Sequence, residues 1–133
     1  MPITPEAQFV PKSTKFLERG HFWAIPLANG KFGAGCVVGQ HMHEGKPHSR
    51  IFIAGVIAWH GNAQPLASQL FGRGIYAHAF AHIKAITSSG GSILGKAHLQ
   101  FGDLPSRSES LTLTTWGYGV PPILAAKFVA ANS

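Results

Sequence analysis

The residues with the greatest capacity for chemistry are the histidines, of which this sequence has eight. His41 and His43 alternate around a methionine, and His48 follows a few residues later. Alternate side chains of an extended strand point to one side, and imidazole nitrogen is a ligand for soft divalent metals. The spacing therefore indicates a candidate metal site formed by His41, His43 and His48. The alternative is a solvated polar loop, because no cysteine lies near these residues in the sequence.

Other catalytic groups are scarce. General acid–base chemistry and hard-metal sites usually need several convergent carboxylates, and the chain has only five Asp and Glu residues. The single cysteine, Cys36, falls within an apolar strand-like segment, where a thiol is usually an inert core group. No Gly-x-Ser-x-Gly nucleophile motif is present. The sequence thus favours a binding protein without a cofactor over an enzyme, and a small histidine-dependent hydrolase or metal enzyme is the second alternative.

The charge balance points to an acidic partner. Eleven Lys and Arg residues stand against five Asp and Glu, a formal net charge of +6. Such a surface favours an acidic protein or a nucleic acid, although the cations form no run typical of a nucleic-acid-binding arm. Partner contacts should combine charge with aromatic side chains at strand ends or loops. The candidate contacts are Arg50, Trp59, His60, Arg73 and Tyr76.

The N-terminus lacks the cationic segment and apolar stretch of a signal peptide. No apolar run is long enough for a membrane-spanning helix, and the longest, residues 51–59, has the length of a strand. With one cysteine, nothing requires an oxidising compartment. We therefore expect a cytoplasmic protein with no membrane partner.

The elements that must position these residues are mostly strands. Residues 21–27 and 31–38 flank Asn29-Gly30, the preferred pair of a two-residue hairpin turn. Glycine at every second position of the second arm predicts a sharply bent strand. Residues 40–49 are expected to form an exposed loop. Residues 50–59 are rich in β-branched residues and predict the central strand.

Further along, residues 65–71 indicate a short helix, and residues 83–95 are expected to form a strand, a turn and a strand. Alternation over residues 111–116 predicts another strand. Pro121-Pro122 predicts the start of a short C-terminal helix. The fold class is therefore mainly β, with α+β as an alternative: a strongly curved antiparallel sheet or small barrel with one or two short helices. Residues 1–15 are expected to be a lead-in segment to a single β-rich domain, 16–133.

The first hairpin resembles the opening of the immunity protein 26 family, which accompanies bacterial polymorphic toxins. That family's pattern is a glycine, an aromatic-rich strand ending in Ile-Pro-Leu, a glycine turn, an aromatic residue and Gly-x-Val. In this sequence the match is confined mainly to residues 20–38. The matching positions are Gly20, Phe22, Ile25, Pro26, Leu27, Gly30, Phe32, Gly35 and Val37 or Val38.

The resemblance implies a cytosolic, cofactor-free protein that neutralises a cognate toxin by occluding its active site, and it transfers no contact residues. Because this chain is basic, the expected toxin partner carries an acidic patch. A small β-barrel that binds nucleic acid is the first alternative, and the net charge supports it.

Overall fold

The computed structural model describes residues 9–104, 106–108, 115–117 and 120–132. The fold is mainly β, with 43% strand and 19% helix. Within these described residues, seven strands form one mixed sheet that is not closed, so the small-barrel alternative does not apply. The strands are β1 (His21–Pro26), β2 (Phe32–His43), β3 (Lys46–Ile57), β4 (Ile75–His82), β5 (Gly95–Lys96), β6 (Arg107–Ser108) and β7 (Thr115–Trp116).

In the part of the chain that the structure describes, three α-helices accompany the sheet: α1 (Ala67–Leu70), α2 (Lys84–Thr87) and α3 (Val120–Asn132). The C-terminal helix predicted from Pro121-Pro122 is confirmed, because proline is well tolerated in the first turn, where the backbone N–H groups have no intrahelical acceptor. Within the described ranges, no helix has the length and apolar character needed to span a membrane.

The centre of the sheet is two antiparallel hairpins that share β2. In order across the sheet the strands are β5, β1, β2, β3, β4 and β7, with β6 beside the far part of β2. The predicted hairpin of β1 and β2 is confirmed, although one 3₁₀ turn, Ala28–Gly30, replaces the two-residue turn. The prediction of a central strand is also confirmed, because β3 pairs with β2 on one side and β4 on the other.

The expected loop over residues 40–49 is wrong. β2 continues to His43, β3 begins at Lys46, and the turn between them is Glu44-Gly45. Both turn residues have positive φ, 52° at Glu44 and 78° at Gly45, which suits a tight hairpin. Residues 43–47 are exposed because the hairpin extends beyond the apolar core, whereas His41 and His48 are half-buried.

The expectation of a strand, a turn and a strand over residues 83–95 is also wrong. The chain leaves β4 and forms the short helix α2, which buries Ala85 and Ile86, and only Gly95 from this range belongs to a strand. Burial of the apolar side chains on one side of a helical turn satisfies the same hydrophobic pattern. Of the predicted strand 111–116, residues 111–114 lie outside the described residues, and Thr115–Trp116 is β7.

The sheet has a core on each face. Ala34, Cys36 and Val38 of β2 pack in one core with the segment 94–104 and Leu70 of α1. The other core joins β1, β2, β3 and β4 to Ala125 of α3, to Ile86 of α2 and to Leu17. Each central strand is therefore covered on both sides, which explains its unbroken apolar sequence.

The alternate glycines of β2 make room for the second core. A Cβ atom at Gly35 would stand 2.3 Å from the Trp23 ring, and one at Gly33 would stand 2.7 Å from Cβ of Ala125. Glycine is needed at these positions because an indole ring and a helix lie directly on the strand backbone.

Candidate functional site

The five predicted contact residues do not share one surface. Arg50 lies near the start of β3 and is exposed, whereas Trp59 and His60 follow the end of that strand. The strand residues from Arg50 to Ile57 alone span roughly 23 Å at the usual rise per residue. Arg73 and Tyr76 lie with Trp59 and His60 at the far end, because Ile75 pairs with Ile57. The sheet therefore separates Arg50 from the other four.

Trp59 is not an exposed contact, and that expectation is wrong. Its side chain is 6% exposed and packs in the core that also contains Ile57 and Leu70. Gly61 lies against the indole ring of Trp59, and a Cβ atom at Gly61 would stand 2.7 Å from that ring. Trp59 therefore stabilises the fold, and its burial depends on this long-range packing.

His60 and Tyr76 lie together against helix α3. The ring of Phe128 makes edge contacts with both, at centroid distances of 6.0 Å to His60 and 5.3 Å to Tyr76. Tyr76 remains 42% exposed, so part of its ring is accessible. Arg73 is exposed, and its backbone bonds to Leu70 and Gln100 hold the turn before β4. We call Trp59, His60, Tyr76 and Phe128 the aromatic end of the sheet.

The predicted histidine trio does come together at the opposite end. His41 and His48 stack with ring centroids 5.7 Å apart, and the His43 ring lies 6.2 Å from that of His48. The β2–β3 hairpin is the cause, because it folds the two histidine-bearing strand segments against each other. His41 also rests on the ring of Phe80 at 4.3 Å, which joins the trio to the core.

Backbone hydrogen bonds determine which ring nitrogen carries the proton in His48 and in His82. The Nδ1 atom of His48 accepts from the backbone N–H groups of Arg50 and Ile51, each at 3.0 Å. Nδ1 of His82 likewise accepts from Lys84 N at 3.0 Å. A ring that accepts at Nδ1 is neutral with its proton on Nε2. Burial, followed by the positive charge of neighbouring side chains, lowers the pKa of both His48 and His82 below 6.5.

This arrangement does not suit the proposed metal site. With Nδ1 of His48 accepting two backbone N–H groups, its Nε2 carries the proton and offers no lone pair to a metal ion. His41 has the opposite tautomer, because its Nδ1 lies 3.2 Å from the carbonyl oxygen of Ser108 and must donate. Among the residues that the structure describes, no group of three or more His, Cys, Asp and Glu is arranged to hold a metal.

Positive side chains surround the histidines. Arg50 donates to the carbonyl oxygen of Lys12, and its own carbonyl accepts from the N–H of Ile83, which brings the start of α2 alongside. Among the described carboxylates, Glu44 lies in the turn between β2 and β3. We call this surface the basic end. Its cations, all exposed, are Lys12, Lys46, Arg50, Lys84 and Arg107, and its histidines are His41, His43, His48 and His82.

An apolar groove, which was not expected from the sequence, adjoins the basic end. The groove has a volume of about 530 Å³, and its lining includes Phe9, Val10, Lys12 and Phe16. Val10 is 59% exposed and Phe16 is 67% exposed. The sequence has a local cluster of basic residues here, formed by Lys12, Lys15 and Arg19. Nothing in the sequence showed that Phe16 would remain outside the core.

Two observations bear on the enzyme alternative. Cys36 is fully buried, and burial raises the pKa of its thiol far above the ordinary value, so the sulfur stays protonated and inaccessible. A second groove, about 430 Å³, contains Tyr76, His78 and Asp103 in its lining. Among the described residues of that lining, His78 is the one histidine and Asp103 is the one carboxylate.

Comparison of the chain with protein-family models, with curated proteins and with solved structures found no match.

Proposed function

We propose that this protein neutralises a bacterial toxin in the cytoplasm by binding it and occluding it, with the basic end facing an acidic patch of the toxin. The observation that carries the proposal is the concentration of five exposed Lys and Arg side chains around one described carboxylate, Glu44. Complementary charge of this kind speeds association and selects the partner. The resemblance of residues 20–38 to toxin-immunity proteins supplies the class of partner.

Two structural features support this choice of face. Glu18, which lies outside the hairpin, forms an ion pair with Lys96 at 2.7 Å, so its charge is already matched by a cation that does not belong to the basic end. The hairpin backbone is held by ladder bonds along β2 and β3, which keeps the basic side chains on a rigid support. A rigid binding surface loses less conformational entropy when it binds.

Growth rescue tests the proposal. The chain is co-expressed with the product of the adjacent upstream gene; that product should arrest growth by itself, and wild type should restore growth and co-purify with it. Reversing two cations of the basic end, Lys46→Glu with Lys84→Glu, should abolish both effects. The matched control is Arg73→Glu with Lys127→Glu, which makes the same charge change away from the basic end and should still rescue. Rescue by the first variant, or no rescue by wild type, contradicts the proposal.

Nucleic-acid binding is the second candidate, favoured by the same exposed cations. Phosphate contacts from the basic end would make affinity fall steeply with salt. Fluorescence anisotropy with single-stranded and double-stranded DNA and RNA at low salt tests this function. Binding that weakens with salt, and that the basic-end double variant loses while its control retains it, would replace the toxin proposal. No anisotropy change at low salt eliminates the nucleic-acid alternative.

A further inference from the structure

The groove beside the basic end has fixed walls. The backbone of Phe9 exchanges two hydrogen bonds with Ile93, at 3.1 and 2.7 Å. Further along the segment, Thr14 N donates to Ser49 O at 2.9 Å, and the Thr14 side chain is buried and donates to the carbonyl oxygen of His48. These bonds hold residues 9–14 against both β3 and the segment before β5. A groove held on both sides exists before a ligand arrives, which lowers the entropic cost of binding.

The floor and the rim of this groove differ in chemistry. Phe9, Val10 and Phe16 supply an apolar floor, and Val10 and Phe16 remain more than half exposed, at 59% and 67%. Large apolar side chains grouped in a concave surface are typical of interaction sites. On the rim, the ammonium group of Lys15 lies 5.4 Å from the centre of the Phe16 ring, and Lys12 is exposed.

The charge of the rim indicates the partner. Glu18 is the carboxylate among the described lining residues, and Lys96 already neutralises it at 2.7 Å. That hydrogen bond and the charge of Lys96 lower the pKa of Glu18, so the pair persists near neutral pH. Lys12 and Lys15 are left facing solvent around an apolar floor. A ligand that matches both features has an apolar side chain flanked by carboxylates.

We propose that this groove binds an extended acidic segment of the partner protein, with an aromatic or aliphatic side chain seated on Phe16 and carboxylates beside Lys12 and Lys15. The proposal rests on the proposed function only in that the partner is an acidic protein. Because Arg50 bonds to the carbonyl of Lys12, the groove and the basic end form one continuous surface. The groove supplies apolar contact, and the basic end supplies long-range attraction.

A display selection of random linear peptides against the intact protein tests the groove directly. The enriched peptides should carry Asp or Glu beside an aromatic or aliphatic residue. Their affinity should fall about tenfold or more in Phe16→Ser, which removes the apolar floor, and in Lys12→Glu, which reverses the rim charge. Phe71→Ser is the matched control, because Phe71 is also a highly exposed phenylalanine, at 71%, and lies outside the groove. Affinity should not change in this control.

Folding is checked by thermal unfolding of each variant. If Phe16→Ser does not fold, Val10→Ser removes another exposed part of the same floor and should give the same loss of affinity. The proposal is overturned if no peptide is enriched, if the enriched peptides are basic, or if they bind Phe16→Ser as tightly as wild type.

Two other occupants give distinct results. A wild-type dimer in sedimentation that becomes a monomer in Phe16→Ser would show that a second copy fills the groove. Tighter peptide binding after deletion of residues 2–8 would show that the chain's own N-terminal residues compete for it. The first result overturns the proposal; the second supports it, because the peptides then bind in the groove once the competing residues are removed.

Failure of this inference is separable from failure of the proposed function. If Phe16→Ser still rescues growth and the basic-end double variant does not, toxin neutralisation stands and the groove is not used. If wild type fails to rescue but acidic peptides bind through Phe16, the groove stands and its partner is another acidic protein.

Discussion

The two ends of the sheet contain similar residue types that are packed in different ways. At the basic end, His48 stacks on His41, and its Nδ1 is tied to the hairpin backbone. At the aromatic end, His60 packs its ring against Phe128, and the neighbouring Trp59 is buried. The difference arises from what covers each end: α3 and α1 approach the aromatic end, whereas the hairpin turn extends past the core. Composition alone therefore does not distinguish an exposed surface from a packed one.

The largest expected effect is at the aromatic end. Trp59→Ala removes a buried indole and leaves a cavity beside Ile57 and Leu70, so the free energy of unfolding should fall by about 3–5 kcal/mol. Urea denaturation measures it. The control is Phe71→Ala, which truncates an exposed ring and should change stability by less than about 0.5 kcal/mol. Equal losses in the two variants would contradict the assignment of Trp59 to the core.

A smaller effect is expected from the contact of α3 with the sheet. Phe128→Ala removes two edge-to-ring contacts, with His60 and with Tyr76, and should lower the free energy of unfolding by about 1–2 kcal/mol. Ile123→Ala on the same helix is the control, because Ile123 is 57% exposed and should lose clearly less. If the control loses as much, the contacts of Phe128 do not hold this end together.

The basic end should make stability depend on pH. The folded protein holds the pKa of His48 and His82 below the ordinary 6.5, because burial and then neighbouring positive charge disfavour their protonated forms. The unfolded chain therefore binds more protons as the pH falls below 6.5, and stability decreases there. We expect a loss of less than about 1 kcal/mol between pH 7 and pH 5, measured by urea denaturation at each pH.

The variant His48→Asn isolates the contribution of His48. An asparagine oxygen accepts the backbone N–H groups of Arg50 and Ile51 without titrating, so the slope of stability against pH should decrease. Burial also lowers the pKa of His21, outside the basic end, so part of the slope should remain. An unchanged slope would show that His48 is not held neutral by the hairpin.

The smallest effect is expected from the exposed cations. Lys46→Glu at the basic end should change the free energy of unfolding by less than about 0.5 kcal/mol, as should Lys127→Glu on α3, because both side chains are exposed. Differential scanning calorimetry measures both. A large loss in Lys46→Glu alone would show that the basic end stabilises the fold, which would weaken its assignment as a partner surface.

Local pattern was sufficient for the main elements. The β-branched run of residues 50–59 predicted the central strand, and the paired prolines predicted α3. The faces of β2 were also predictable, because Ala34, Cys36 and Val38 stand at alternate positions of the strand and do lie in one core. Each of these features depends on periodicity or on backbone restriction, which are properties of neighbouring residues.

The candidate site was predicted only in part. The proximity of His41, His43 and His48 followed from their spacing, although the hairpin that brings them together was expected to be a loop. Their tautomers did not, because bonds to backbone N–H and C=O groups set them. The groove at Phe16 was missed, because hydrogen bonds to residues far along the chain, among them Ser49 and Ile93, hold residues 9–14 in place.

The sequence by itself determined a mainly β chain with a central hydrophobic strand, a C-terminal helix and a surplus of positive charge, since these depend on composition and local periodicity. Only the tertiary structure decided that the glycines of β2 accommodate Trp23 and α3, that Trp59 is buried, and that Arg50 is separated from Tyr76. Those outcomes depend on contacts between residues far apart in the chain, and burial and mutual distance are properties of the packed whole.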